Sequence, residues 1–235
     1  MGLTQPPGPL RVATRGDFFS DVRVNRTTFL VDGFNVYYSL RAASVDLGGA
    51  STKWLDLRAL FSSYLHVVGS QARLEQIFYF SVLAHHLDTH RPGVTARHRD
   101  YLDCLKATGV IPILGRFKFK TVRCHRCMID NPHYEEKETD VAISMKLIEL
   151  LHDDQADTIV LVTGDTDLAP AVRTASCLFP AKEICFGFPY RRGNKELERL
   201  VSKHFSIRKE RYARHQLPSP FVLPSGRSVS KPQEW

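Results

Sequence analysis

No stretch of this chain approaches the roughly 18 consecutive apolar residues of a membrane-spanning helix, and the opening MGLTQPPGPL lacks the charged-then-apolar pattern of a signal peptide. The expectation is a soluble, cytoplasmic protein with no membrane partner. Cysteine is scarce. Five in 235 residues, an odd number, make no disulfide scaffold and fit a reducing compartment. A complete zinc ligand set is also missing. His85, His86 and His90 lie in the polar connection AHHLDTHRPG, but no thiolate or acid pattern completes a site, and they read as loop histidines. Cys124 and Cys127, in Cys-His-Arg-Cys, make only half a zinc site. Completion by His133 plus another residue, or across a dimer, stays open beside a plain turn with two free thiols.

What is present is a core and a positive surplus. An apolar content of 43% in 235 residues supports one substantial domain. Lys and Arg outnumber Asp and Glu by 32 to 25, giving +7, a balance that favours polyanionic partners such as nucleic acid or else simply aids solubility. Residues 1–25 hold Pro6, Pro7 and Pro9 without periodicity and read as a weakly ordered leader. From Arg208 the chain turns basic, with Lys209, Arg211 and Arg214 offset by Glu210, then rich in proline and serine. Residues 208–235 read as a weakly structured tail able to touch phosphates. The folded domain is expected between them, over 26–207.

Within it, short apolar runs alternate with helical spacing. Thr28 to Val31 is a strand that runs into Asp32-Gly33-Phe34-Asn35, where Asn35 is placed to cap or enter a helix. Leu55 to Val68 reads as a helix, Gln76 to Leu83 as a strand, Arg97 to Ala107 as a helix and Val110 to Leu114 as a strand. Thr158 to Val162 is a buried strand that stops at Gly164, with Asp165 and Asp167 following and a helix from Leu168. Lys182 to Phe186 gives a strand, Asn194 to His204 a helix, and Phe205 to Ile207 an edge strand. This order predicts an α/β domain, a mostly parallel sheet of about five strands with helices on both faces.

One segment departs from the alternation. GRFKFKTV places Arg116, Lys118 and Lys120 on one face of an extended ribbon and Phe117 and Phe119 on the other, which suits phosphates and stacked bases, or an edge strand with lysine gatekeepers. With the cysteine pair it forms a small insertion ahead of the strongest helix, Tyr134 to Asp153. There Val141, Met145, Ile148 and Leu151 form a stripe widened by Ile143, Leu147 and Leu150. Glu136 and Asp140 share a face of that helix. Its macrodipole accounts for Glu136 and Glu138; it accounts less well for Asp140, in the second turn, which reads as a functional carboxylate.

If the first strand and the Thr158 strand are neighbours, Asp32, Asp165 and Asp167 meet at one rim and the preceding helix brings Asp140 to it. Carboxylates so gathered repel unless protonated or holding cations, and oxygen-only donors in a basic surround favour Mg2+ or Mn2+. Such an ion can activate water against a phosphodiester. Asn35 is a candidate for orienting the water or a phosphate, with Thr163 or Thr166 assisting and Lys137 joining the cations of the ribbon.

The combination FLVDGFN, EEKETDVAIS and LVTGDTDLAP resembles the NYN domain family of PIN-like ribonucleases, which includes the LabA-like bacterial proteins, over roughly Arg26 to Ile207. The resemblance implies a PIN-type parallel sheet and divalent-metal-dependent RNA cleavage, with Asp32, Asp140, Asp165 and Asp167 at the family's acidic positions and Asn35 at its asparagine. PIN-type domains often pair, so a homodimer is a candidate partner beside RNA. A catalytically idle RNA-binding or assembly module of the same fold is the alternative. A haloacid-dehalogenase phosphatase is disfavoured, because Phe34 stands where that chemistry wants a second Asp.

Overall fold

A computed structural model describes residues 24–123 and 126–235. The leader falls almost wholly outside them. The central sheet has six strands, one more than the five firmest runs promise: β3 (Ile111–Leu114), β2 (Ala72–Ser81), β1 (Asn25–Asp32), β6 (Thr158–Val162), β7 (Glu183–Phe188) and β8 (Lys203–Ser206), side by side in that order. Every neighbouring pair is parallel.

Strand alternation divides the core in two. Phe29, Val31, Ile77, Tyr79, Val160 and Val162 point to one face, where α1 (Gly33–Asp46), α2 (Leu57–Ser62), α3 (Leu65–Val68) and α4 (Val94–Ala107) cover them. Leu30, Phe78, Phe80, Ile159, Leu161 and Phe186 point to the other, under α5 (Thr139–His152) and α6 (Ala169–Leu178). Apolar residues on both faces of β1 and β6 are the reason these strands lack hydrophobic alternation.

Several expected elements change where tertiary pairing overrides local preference. The helix expected over Leu55 to Val68 breaks at Ser63 and Tyr64 into α2 and α3. The one expected over Asn194 to His204 shrinks to α7 (Lys195–Glu198), because Lys203 to Ser206 pairs with Cys185 to Phe188. The helix expected from Tyr134 starts only at Thr139. Asp130–Lys137 is instead β5, paired antiparallel with β4 (Arg116–Arg123) in a hairpin outside the main sheet. Cross-strand matches hold it there: Phe119 faces Tyr134, and Lys120 reaches Glu135 at 2.7 Å. Along α5 the stripe is rotated from its expected place. Ile143, Leu147, Leu150 and Leu151 are buried, while Val141 and Met145 are 66% and 62% exposed.

The carboxy-terminal segment is built into the molecule, contrary to its composition. α8 (Lys209–Arg214) buries Tyr212 completely, and Tyr212 Oη lies 2.9 Å from Ser39 Oγ on α1. Leu217, Leu223 and Val229 join the first core layer, Trp235 meets Trp54, and the short strands β9 (Phe221–Val222) and β10 (Ser228–Val229) close the end. Arg227 pairs with Asp100 and Asp103 on α4. Each turn supplies only one or two buried side chains, too few to mark a domain by composition.

Among the described residues no helix is long and apolar enough to cross a membrane.

Candidate functional site

β1 and β6 are neighbours, with Val31 opposite Val162. The chain order runs outward from them in both directions, so a topological switch point lies at their carboxyl ends, where open α/β sheets bind ligands. Asp32 ends β1 there. It is 3% exposed and caps α1: its Oδ1 accepts the backbone N–H groups of Phe34 and Asn35, both at 3.0 Å. Its Oδ2 accepts Asn35 Nδ2 at 2.6 Å and the Thr163 hydroxyl at 2.8 Å. Asn35 therefore stands inside the helix rather than at its cap, and its Oδ1 takes the Gly164 N–H at 3.2 Å. Thr163, 1% exposed, also accepts the Asp165 N–H at 3.1 Å. Thr163 is thus a positioning residue, too deeply buried and too fully bonded for the substrate contact expected of it.

Two glycines permit this close approach. A Cβ on Gly33 would collide with the carbonyl of Phe80, and one on Gly164 with the carbonyl of Arg192. Neither needs a left-handed backbone; both need the absence of a side chain. Asn194 bonds the Gly164 carbonyl at 3.3 Å, so the 189–194 segment is held against the same rim.

Asp165 caps the short 3₁₀ segment Thr166–Leu168 through the Asp167 N–H at 3.0 Å, leaving its other oxygen to the site. Asp140, in the first turn of α5, is half-buried. Burial pushes its carboxyl up to about 6, helped by the negative charges of Asp165, Asp32 and Asp167. Burial also raises the Asp32 carboxyl, against the bonds from Asn35 and Thr163 that hold it down. The structure brings the four aspartates named from the sequence into one field.

A fifth carboxylate joins them. Glu136 lies on β5, opposite Phe117, not on a helix. Its Oε1 is buried with no hydrogen-bond partner. Burial raises this carboxyl first, the Thr139 hydroxyl beside it offsets part of the rise, and Asp32, Asp140 and Asp165 add to it. The macrodipole reading hid Glu136, because the hairpin that turns it inward depends on pairing with β4.

All-oxygen donors and an orphaned carboxylate oxygen among like charges fit a hard divalent cation in kind. The arrangement is open: among the described residues no three His, Cys, Asp or Glu side chains are grouped to hold a metal ion. Asp32 has all four lone-pair directions taken, so the free donors are on Asp140, Asp165, Asp167 and Glu136. Cys127 is an exposed thiol, and Cys124 lies outside the described residues.

The cationic ribbon is largely self-paired. Arg116 meets Glu138 at 2.6 Å, and Lys120 and Lys137 share Glu135 at 2.7 and 3.0 Å. Exposed pairs of this kind are worth about 0–1 kcal/mol and exchange readily for a phosphate. On the other flank, exposed Tyr37 and Tyr38 of α1 lie under Arg41 and Arg192, at 5.9 and 5.4 Å. In the sequence this shelf is marked by no more than the adjacent tyrosines that begin two residues after Asn35.

A cavity of about 480 Å³ opens at the amino ends of β6 and β7 beside Lys182 and Ser202 and is lined by none of these residues. A smaller one, about 390 Å³, lies at the carboxyl ends of β2 and β3, on the acids' side of the sheet.

The NYN domain family model matches residues 26–207. The chain belongs to the NYN domain family. This NYN domain is similar to 6-hydroxy-3-succinoylpyridine 3-monooxygenase HspA of Pseudomonas putida, 25% identical across 89% of this chain and 75% of that protein. It also superposes on the crystal structure of a protein of unknown function from Vibrio parahaemolyticus, with a TM-score of 0.52 and 18% identity, covering 78% of this chain and 93% of that one. The latter likeness shows fold alone. The PIN-like α/β architecture expected from the sequence is the one observed.

Proposed function

We propose that this NYN domain is a divalent-metal-dependent endoribonuclease. What supports the reading most is the meeting of Asp32, Asp140, Asp165 and Asp167 beside the carboxyl ends of the neighbouring strands β1 and β6, where burial and like charge raise the Asp140 carboxyl and a cation would relieve the field. Asp140, Asp165, Asp167 and Glu136 would hold Mg2+ or Mn2+; bound there, the ion supplies positive charge to a phosphodiester and lowers the pKa of water. Asp32 anchors the site: its carboxylate fixes Asn35 and Thr163, which in turn fix Gly164 and the backbone of Asp165. Lys118, with Arg116, Lys120 and Lys137 once released from their glutamate partners, would take up the RNA backbone.

A catalytically idle RNA-binding module is the second reading, favoured by the saturated hydrogen bonding of Asp32 and the ungrouped carboxylates. One experiment separates the two. Purified protein with mixed single-stranded RNA and Mg2+ or Mn2+ should cleave internally, stop on adding EDTA, and lose at least about 100-fold in rate on Asp165→Asn. Mn2+ should also raise the melting temperature of the parent protein more than that of the variant. Undiminished cleavage by Asp165→Asn rejects the assignment, and salt-sensitive RNA binding without turnover under any divalent ion selects the idle module.

A further inference from the structure

The hairpin of β4 and β5 turns its ring-bearing face toward the sheet, and its register assigns the residues of that face. Phe117 stands opposite Glu136 and Phe119 opposite Tyr134, while Arg116, Lys118 and Lys120 take the other face. Phe117 meets Phe34, two residues after Asp32, ring edge to ring face at 6.0 Å. The same strand face thus carries Glu136 into the acid field and the aromatic rings to its border.

These rings wall the 390 Å³ cavity, whose floor is Val82, Leu83, Leu114 and Gly115 at the ends of β2 and β3. Its walls stand at two orientations. His86 stacks on Tyr134 at 4.0 Å with 10° between planes, and meets Phe117 at 4.6 Å and 78°. Phe119, 54% exposed, and Tyr134, 40% exposed, leave ring surface open to solvent. Any apolar group gains from burial there, but a planar ring adds a face contact on one wall and an edge contact on the other, beyond what its buried area supplies. The volume lies in the range of small-ligand sites, about 300–1,000 Å³. Burial, and His85 beside it, lower the His86 imidazole from its ordinary value, and in its neutral form the ring offers one donor and one acceptor. Arg116 stands at the mouth, and Lys118 on the outer face has no ion pair among the described residues.

We propose that this hollow receives one unstacked nucleobase of a single-stranded RNA, held against His86, Phe117, Phe119 and Tyr134, so that the backbone leaving it crosses the acid rim. The inference rests on the ribonuclease reading and deepens it: the pocket selects the nucleotide next to the scissile bond, and Lys118 takes a phosphate without regard to sequence.

Anisotropy of short dye-labelled single-stranded RNAs, with EDTA to prevent turnover and again with Asp165→Asn and Mn2+, tests it. Replacing one internal nucleotide by an abasic one should weaken binding by about 5- to 150-fold at a single position of the strand and little elsewhere. Phe119→Ala, at an exposed ring, and His86→Ala should weaken the intact RNA by a similar factor and remove the abasic penalty, whereas Lys118→Ala should weaken intact and abasic strands equally. An abasic penalty spread evenly along the strand, or undiminished in both ring variants, overturns the proposal. So does tight binding in this hollow of nicotinate, a planar heteroaromatic with no ribose-phosphate chain, in place of RNA. Base-selective binding that persists when no cleavage is found under any metal would sink the nuclease reading and leave the pocket standing. Cleavage without base selectivity would do the reverse.

Discussion

Asp32 shows how one side chain can serve both fold and site. As the cap of α1 it satisfies two backbone donors that a helix start leaves open, and through Thr163 it ties β1 to β6. A strand ending in Asp is readable in sequence as a turn, a cap or a ligand, and local pattern cannot choose among them. The Thr163 bond, 131 residues away in the chain, assigns it. Gly164 is similar: the sequence marks a strand end, but only the Arg192 carbonyl packed against it makes alanine unacceptable. Gly164→Ala should cost about 1–3 kcal/mol in urea unfolding, as overpacking does, and an unchanged midpoint would show that the 189–194 segment yields freely. His98 is a partly buried group outside the site. Its Nε2 lies 3.3 Å from Ser81 Oγ, and burial lowers its imidazole to about 4. The folded protein keeps it neutral, whereas the unfolded chain takes up a proton below about 6.5. Its contribution is therefore whole above that pH and is lost as pH falls toward 4, by roughly 2–3 kcal/mol. Urea midpoints at pH 7.5 and 5 should diverge less in His98→Gln than in the parent, and equal divergence refutes the account.

Among the elements, the hairpin and the start of α5 are where pattern and structure part. The residues Tyr134 to Lys137 suit a helix as well as a strand, and the pairing partner that settles the matter begins at Arg116. Glu138, between β5 and α5, has φ of 80° and no side-chain cap, a backbone state glycine adopts freely. Glu138→Gly should leave stability unchanged or raise it by up to about 1 kcal/mol, since the exposed Arg116 pair lost with it is worth little. A loss beyond about 1 kcal/mol would show that the pair, not the backbone, fixes this junction. The buried strand β6 and the acids after it were legible because four apolar residues in a row, Ile159 to Val162, followed closely by Gly164 and two carboxylates, admit few other readings. Glu136 was not, because its inward direction is a property of the hairpin.

At the scale of the whole molecule, the segment after Ile207 completes the first core layer. Its prolines and arginines suggest a tail; its buried tyrosine and scattered aliphatics make it a cover for α1 and Trp54. Tyr212→Phe leaves the buried Ser39 hydroxyl without its partner at 2.9 Å and should cost about 1–3 kcal/mol in thermal or urea unfolding. Tyr212→Ala should cost about 3–5 kcal/mol by emptying a fully buried position. Two harmless substitutions would return the segment to the role of a loose tail. The sequence by itself determined the parallel α/β class, the family, and the aspartates that meet beside the carboxyl ends of β1 and β6. Those are written in short-range signals: runs buried on both faces, breaks at glycine, acids at strand ends. Tertiary structure decided which side chains share a field. Glu136, the ring-walled hollow and the Tyr37 to Arg192 shelf arise from contacts between segments far apart in the chain, and a carboxylate or a ring becomes part of a site only when distant backbone turns it there and excludes water around it.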